Sequence, residues 1–217
     1  MDRLNRQQIA ARVARDIPEG AYVNLGIGLP TMVANYLPAD REIFLHSENG
    51  ILGMGPAPAS GEEDWELINA GKQAVTLLDG GAFFHHGDSF AMMRGGHIDI
   101  CVLGAFQVSI HGDLANWHTG DPDAIPAVGG AMDLAIGAKH SFVMMELLTK
   151  QGDSKLVERC TYPLTAPACI SRVYTDVAVF DLGPEGATVI EMVEGMSLDE
   201  LRRLSAVPLA LSPNSKS

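Results

Sequence analysis

Positive charge is scarce in this chain. Lys and Arg number 15 against 27 Asp and Glu, a formal net charge of −12. Phosphate backbones are gripped by clustered cations, so this balance argues against nucleic acid as a partner. A small anionic substrate stays open, because it needs only a local positive site. Long apolar runs are also missing. No stretch approaches the ~18 consecutive apolar residues of a membrane span. At the N-terminus Arg3, Arg6, Arg12 and Arg15 are interspersed with Asp2 and Asp16, and the apolar core of a secretion signal is lacking. Cysteine is sparse: Cys101, Cys160 and Cys169 are odd in number and have no metal-ligand spacing. They read as reduced thiols of a cytoplasmic protein. There is no P-loop Lys-Ser/Thr and no pair of His or Cys at ligand spacing, so neither a nucleotide nor a metal is expected.

What the chain does contain is apolar residues and glycine. Hydrophobic residues make up 47% of 217, enough to bury one sizeable core. The 23 glycines are scattered rather than bunched, which suggests many tight strand-to-helix turns. Ile9, Val13 and Ile17 share one face of a helix over 6–17, stopped by Pro18-Glu19-Gly20. A strand over 22–27 runs into Gly28, and Pro30 suits the first turn of a helix through Leu37. Strands are also expected at 43–45, 74–78, 98–103 and 142–147. Asp88 or Ser89 is expected to cap a helix through Met93, and another helix spans 131–138. Two hairpin-like strands are read at 174–182 and 187–193, then a helix over 198–204 capped by Ser197, then a polar, loose tail. No internal repeat or linker interrupts this order. The expectation is one domain over 1–217, with its core at about 6–209: an α/β, open, mostly parallel sheet with flanking helices.

One stretch organises the rest. Ile43-Phe44-Leu45 is a short buried strand, and His46-Ser47-Glu48-Asn49-Gly50-Ile51-Leu52-Gly53 follows it into a Gly-rich loop. Ligands of open α/β sheets bind beyond the carboxyl ends of strands, so Glu48 stands where a ligand would arrive. From the residues alone, a carboxylate there serves as a base, a metal ligand, a nucleophile or only an acceptor for loop amides.

Ser47-Glu48-Asn49-Gly50-Ile51-Leu52-Gly53 resembles the signature of the B-type subunit of 3-oxoacid coenzyme A transferases. Blocks at 24–30, 67–72, 89–97, 112–117 and 129–133 resemble that family in the same order, so the likeness covers roughly Arg6 to Leu209. The resemblance implies the family's coenzyme A transferase fold. It implies Glu48 as the catalytic nucleophile, with the backbone amide of Gly130 as an oxyanion donor. Asn24 and Lys72 match positions that contact coenzyme A. It also implies an A-type partner subunit in an αβ or α2β2 assembly, no permanently bound cofactor, and a coenzyme A thioester as substrate. Phe83-Phe84-His85-His86 resembles the branch acting on 3-oxoadipate, which would put His85 and His86 near a distal carboxylate, with succinyl-CoA as donor. Acetoacetate or another short acid remains the alternative acceptor. A non-catalytic or isomerase-like sugar-phosphate domain is the rival of a different class.

Overall fold

The computed structural model describes residues 2–121, 123, 125, 126 and 128–216. In chain order its elements are α1 (Arg6–Asp16), β1 (Tyr22–Leu25), a 3-10 helix (Leu29–Tyr36), β2 (Phe44–Ser47), β3 (Ile51–Met54), β4 (Leu77–Phe83), α2 (His86–Arg94) and β5 (Ile100–Leu103). Then come β6 (Gln107–Ser109), β7 (Leu114–Ala115), α3 (Ala131–Gly137), β8 (His140–Met144), β9 (Leu156–Val157) and β10 (Ile170–Tyr174). The chain closes with β11 (Ala178–Gly183), β12 (Gly186–Met192), α4 (Leu198–Ser205) and β13 (Leu209–Lys216).

Ten strands form one sheet in the order β13-β12-β11-β10-β8-β5-β1-β2-β3-β4. The five central strands, β10 through β2, run parallel to one another. Antiparallel additions flank them, and β13 pairs parallel to β12. Both faces of the centre are covered, which explains its near-continuous apolar runs. Alternate residues go to opposite cores. Cys101, Leu103 and Val143 pack toward the layer of Met93, Leu134 and Leu201. Ile100, Val102 and Met144 pack toward Ile9, Val13 and Val33. A small sheet, β7-β6-β9, lies beside the first of these cores.

β1 leads to β2 on one side of itself, and the chain then returns to β5 on the other. The order therefore reverses between β1 and β5, and a crevice opens beyond the carboxyl ends there.

Several expected elements are redrawn. The helix after Pro30 is a 3-10 helix, consistent with its β-branched and short polar content. β3 was not foreseen: Ile51–Met54 turns back against β2 instead of running on as loop. The strand expected at 74–78 begins at Leu77 and extends to Phe83. The expected strand at 174–182 is two, because a Thr175-Asp176-Val177 turn divides β10 from β11. Helix α2 is capped by His85, not by Asp88 or Ser89. The loose tail is instead β13, an edge strand paired with β12. By contrast Ser197 caps α4 in a full capping box with Glu200.

Candidate active site

β2 ends at Ser47, and the next three residues make the loop of a hairpin into β3, with Ser47 opposite Ile51. Such a three-residue loop calls for a left-handed residue in its last position. Gly50 supplies it, at φ 111°. A side chain there would also run into the carbonyl oxygen of Phe84. Gly50 N–H donates to Ser47 O at 2.9 Å, and Phe84 N–H donates to Gly50 O at 3.0 Å. Ser47 Oγ accepts from Ala70 N–H at 3.0 Å, and Asn49 Nδ2 donates to Ile68 O at 2.7 Å. Glu48 is thus carried on a short, fully tied turn.

Its carboxylate faces an open cleft of about 450 Å³. The walls are the carboxyl ends of four parallel strands: Asn24 and Leu25 from β1, Ser47 from β2, Leu103 from β5 and Met144 from β8. Gly129 and Gly130 close one side, and Arg6 and Lys155 bring positive charge to the lining. Gly130 lies so close that a methyl group on it would meet Glu48 Oε2, with Glu48 Cδ at 3.1 Å and Phe90 Cζ at 3.3 Å. Burial pushes the Glu48 carboxyl above the ordinary range; the charge of His86 opposes that shift and Asp133 adds to it. The Asp133 carboxylate is itself held by Arg94 Nε at 2.6 Å.

Behind the hairpin lies a buried polar chain that sequence reasoning missed. Asn24, His46 and Ser89 are all at most 2% exposed. Asn24 Nδ2 stands 2.9 Å from His46 Nδ1 and donates to His46 O at 3.2 Å, while His46 Nε2 stands 2.9 Å from Ser89 Oγ. The imidazole also stacks on Phe84, with centroids 5.9 Å apart. Burial lowers the His46 pKa to about 4, so the ring is neutral at ordinary pH. A lone polar residue in an apolar run, two positions before the key glutamate, was the available signal.

The named candidates divide. Glu48, Asn24 and Gly130 share the cleft. Lys72 is exposed outside its described lining and holds a left-handed φ of 60°, an uncommon conformation for a residue with a side chain. His85 and His86 are exposed. The His85 ring accepts from Gly87 N–H at 3.0 Å as the helix cap, whereas the His86 ring lies 4.7 Å from that of Phe90. The three cysteines are free, and burial raises their pKa values to about 12, 11 and 12 for Cys101, Cys160 and Cys169. Thiols held protonated in this way are poor nucleophiles. Among the described residues no cluster of three His, Cys, Asp or Glu side chains is arranged to hold a metal ion, and no helix is long and apolar enough to cross a membrane.

A strand-end cleft, a tied glutamate and an adjacent glycine that leaves it room are features of an acyl-transfer site. The sequence matches the coenzyme A transferase family over residues 6–203. It is 70% identical over 207 residues to the B-type chain of 3-oxoadipate CoA-transferase from Pseudomonas putida, spanning 95% of this chain and 97% of that one. With the corresponding chain of the Acinetobacter baylyi 3-oxoadipate CoA-transferase it shares 67% over 207 residues, 95% of each chain. In fold it is similar to an acyl-CoA transferase of Escherichia coli O157:H7, with a TM-score of 0.75 at 21% identity; the match covers 98% of this chain and 43% of that one. The chain belongs to the coenzyme A transferase family.

Proposed function

We propose that this chain is the glutamate-bearing subunit of a 3-oxoacid coenzyme A transferase, moving coenzyme A from succinyl-CoA to 3-oxoadipate. The observation that carries the proposal is Glu48, fixed on a hairpin at the cleft against Gly130. Ionised Glu48 attacks the thioester carbonyl; the C–S bond breaks, leaving a mixed anhydride and coenzyme A thiolate. The thiolate then attacks the Glu48 acyl carbon, the donor acid leaves, and a Glu48–coenzyme A thioester remains. The acceptor carboxylate runs the same steps in reverse. Splitting the exchange this way avoids holding both acids in the site at once. Each addition passes through an oxyanion, for which the Gly130 amide is the proposed donor. Asn24 would contact the arm of coenzyme A through Oδ1, its Nδ2 being taken by His46. Lys72 is proposed to meet coenzyme A oxygens.

The acceptor rests on the two relatives at 67–70% identity and on the His pair. His86 is the better supported of the two, since its charge acts on Glu48 while the His85 ring caps α2. An A-type partner is proposed because this chain spans 43% of a single-chain transferase of the same fold. Exposed Ile27 and Phe106 also line the cleft and would gain from cover. Free, protonated thiols agree with a cytoplasmic enzyme.

The test is reconstitution with an A-type subunit. Incubation with succinyl-CoA alone should add coenzyme A to the peptide bearing Glu48. Glu48→Ala should fold, assemble and show neither adduct nor exchange. An active Glu48→Ala protein, or wild type that exchanges coenzyme A without the adduct, overturns the assignment.

A further inference from the structure

We propose that His46 is a positioning residue for the Glu48 nucleophile, acting through the buried chain Asn24–His46–Ser89. The inference rests on the reading of Glu48 given above and extends it to a residue that does not touch substrate.

Direction along the chain follows from the donors. The Asn24 atom facing His46 is also within hydrogen-bond reach of the His46 carbonyl oxygen, at 3.2 Å. A carbonyl only accepts, so that atom is the amide nitrogen. Its second N–H points to His46 Nδ1 at 2.9 Å, which must then be the unprotonated ring nitrogen. The single ring proton sits on Nε2 and is donated to Ser89 Oγ at 2.9 Å. One neutral tautomer therefore satisfies both partners, and the ring is kept neutral by its burial.

The three residues come from three walls of the cleft. Asn24 is in β1, directly opposite His46 in the β1–β2 register. His46 stands in β2 two residues before Glu48, opposite Leu52 of the returning strand. Ser89 is on α2, the helix that begins with His86 and carries Phe90 against Gly130. Its proximity to Glu48 makes the chain more than core polarity. Across it the hairpin bearing the nucleophile is pinned to the helix whose charge acts on that nucleophile and to the strand that lines the cleft. The Glu48 carboxylate accepts no hydrogen bond from any other described side chain, so its aim depends on how firmly the backbone beneath it is held. A displacement of about 1 Å at a reacting group can cost ~100-fold in rate.

The test uses the protein reconstituted with its A-type partner. His46→Phe keeps a ring against Phe84 and removes both hydrogen bonds. It should lower kcat by about 100-fold while leaving KM for the acyl-CoA nearly unchanged. His46→Gln carries one acceptor and one donor and should recover most of that loss. Ser89→Ala breaks a single link and should lower kcat by about five- to tenfold. Adding it to His46→Phe should cost nothing further. Because a neutral ring does not titrate, the acid limb of kcat/KM should keep its position in all three variants. If folded His46→Phe or Ser89→Ala turns over like wild type, the proposal fails. A shifted acid limb in His46→Phe would make His46 a titrating partner of Glu48 and overturn it as well. Wild type that forms no Glu48 adduct would instead defeat the proposed function; a normal adduct with unaffected variants defeats only this inference.

Discussion

Gly130→Ala is the sharpest test of the site, because it adds one methyl group where the nucleophile lies. The Gly130 backbone is at φ −86° and ψ 6°, which alanine also adopts, so folding should tolerate the change. Its N–H remains, so the proposed oxyanion donor is not removed. What changes is space: the methyl carbon would coincide with the reach of Glu48 Oε2 and press on Glu48 Cδ at 3.1 Å and Phe90 Cζ at 3.3 Å. Phe90 packs beside His86 and under Arg94, so the carboxylate is the part that gives way. Relief of the contact needs a shift of about 1 Å, which predicts a loss of ~100-fold in kcat/KM, or about 2.7 kcal/mol of transition-state binding. The assay is coenzyme A exchange by the reconstituted enzyme, together with the yield of Glu48 adduct, at unchanged melting temperature. Glu48→Asp withdraws the carboxylate by a similar distance and should itself cost about 100-fold. If space is the cause, adding Gly130→Ala to Glu48→Asp should cost little more, since the shorter arm no longer meets the methyl. A Gly130→Ala enzyme of wild-type activity, or losses that multiply in the double variant, would refute the reasoning.

Further outcomes follow from charge and burial. The acid limb of kcat/KM should lie above the ordinary glutamate value of 4.5; His86→Gln should move it up and Asp133→Asn down, as read from pH–rate profiles. A carboxyl with a raised pKa in the folded state costs stability once the pH rises past 4.5, and the cost is complete above its folded pKa. Glu48→Gln should therefore raise the urea midpoint at neutral pH, with the gain vanishing as the pH falls to 4.5. His86→Gln should lower kcat/KM for 3-oxoadipate by roughly 10- to 150-fold and spare acetoacetate; if Lys155→Met does so instead, the distal carboxylate belongs to the other cation of the cleft. The Arg12 side chain is 9% exposed and bonded at 2.7 Å to both Asp16 and Glu191. Both acids keep a second arginine, so Arg12→Met should destabilise by about 3 kcal/mol in denaturant titration, the low end for a broken buried ion pair.

The core of the fold was legible because its signals are local and repeated. Ile100-Cys101-Val102-Leu103 is apolar on both faces and could only be a covered strand. Ser197 and Glu200 announce α4 by the chemistry of the capping box. The misread parts depend on partners far along the chain. Leu209–Lys216, with its serines, proline and asparagine, has little strand propensity; it is a strand because β12 offers a free edge. His85 caps α2 by a ring nitrogen, a role filled far more often by Asp or Ser. Ile51–Met54 lies among glycines and was hidden by them, although Gly50 is the residue a three-residue hairpin loop requires.

The site was half legible for a related reason. Glu48 and Gly130 stand in motifs, and motifs survive in one dimension. His46 and Ser89 are 43 residues apart, and neither belongs to a motif that names the other. Their pairing exists only once α2 crosses behind β2. Yet this unseen layer answers the demand the visible one creates. A nucleophilic carboxylate must be shielded from water, because water would hydrolyse its anhydride and thioester. Shielding raises its pKa and leaves it few hydrogen bonds to fix its direction. The countermeasures must come from outside the cleft floor: a nearby His86 charge to favour the ionised form, and a buried neutral histidine to hold the backbone from which the carboxylate projects. A site that excluded water without them would hold its glutamate protonated and poorly aimed. The polar chain under the hairpin is therefore a consequence of the chemistry proposed above it, which is why the His46 and Gly130 variants probe the same requirement from opposite sides.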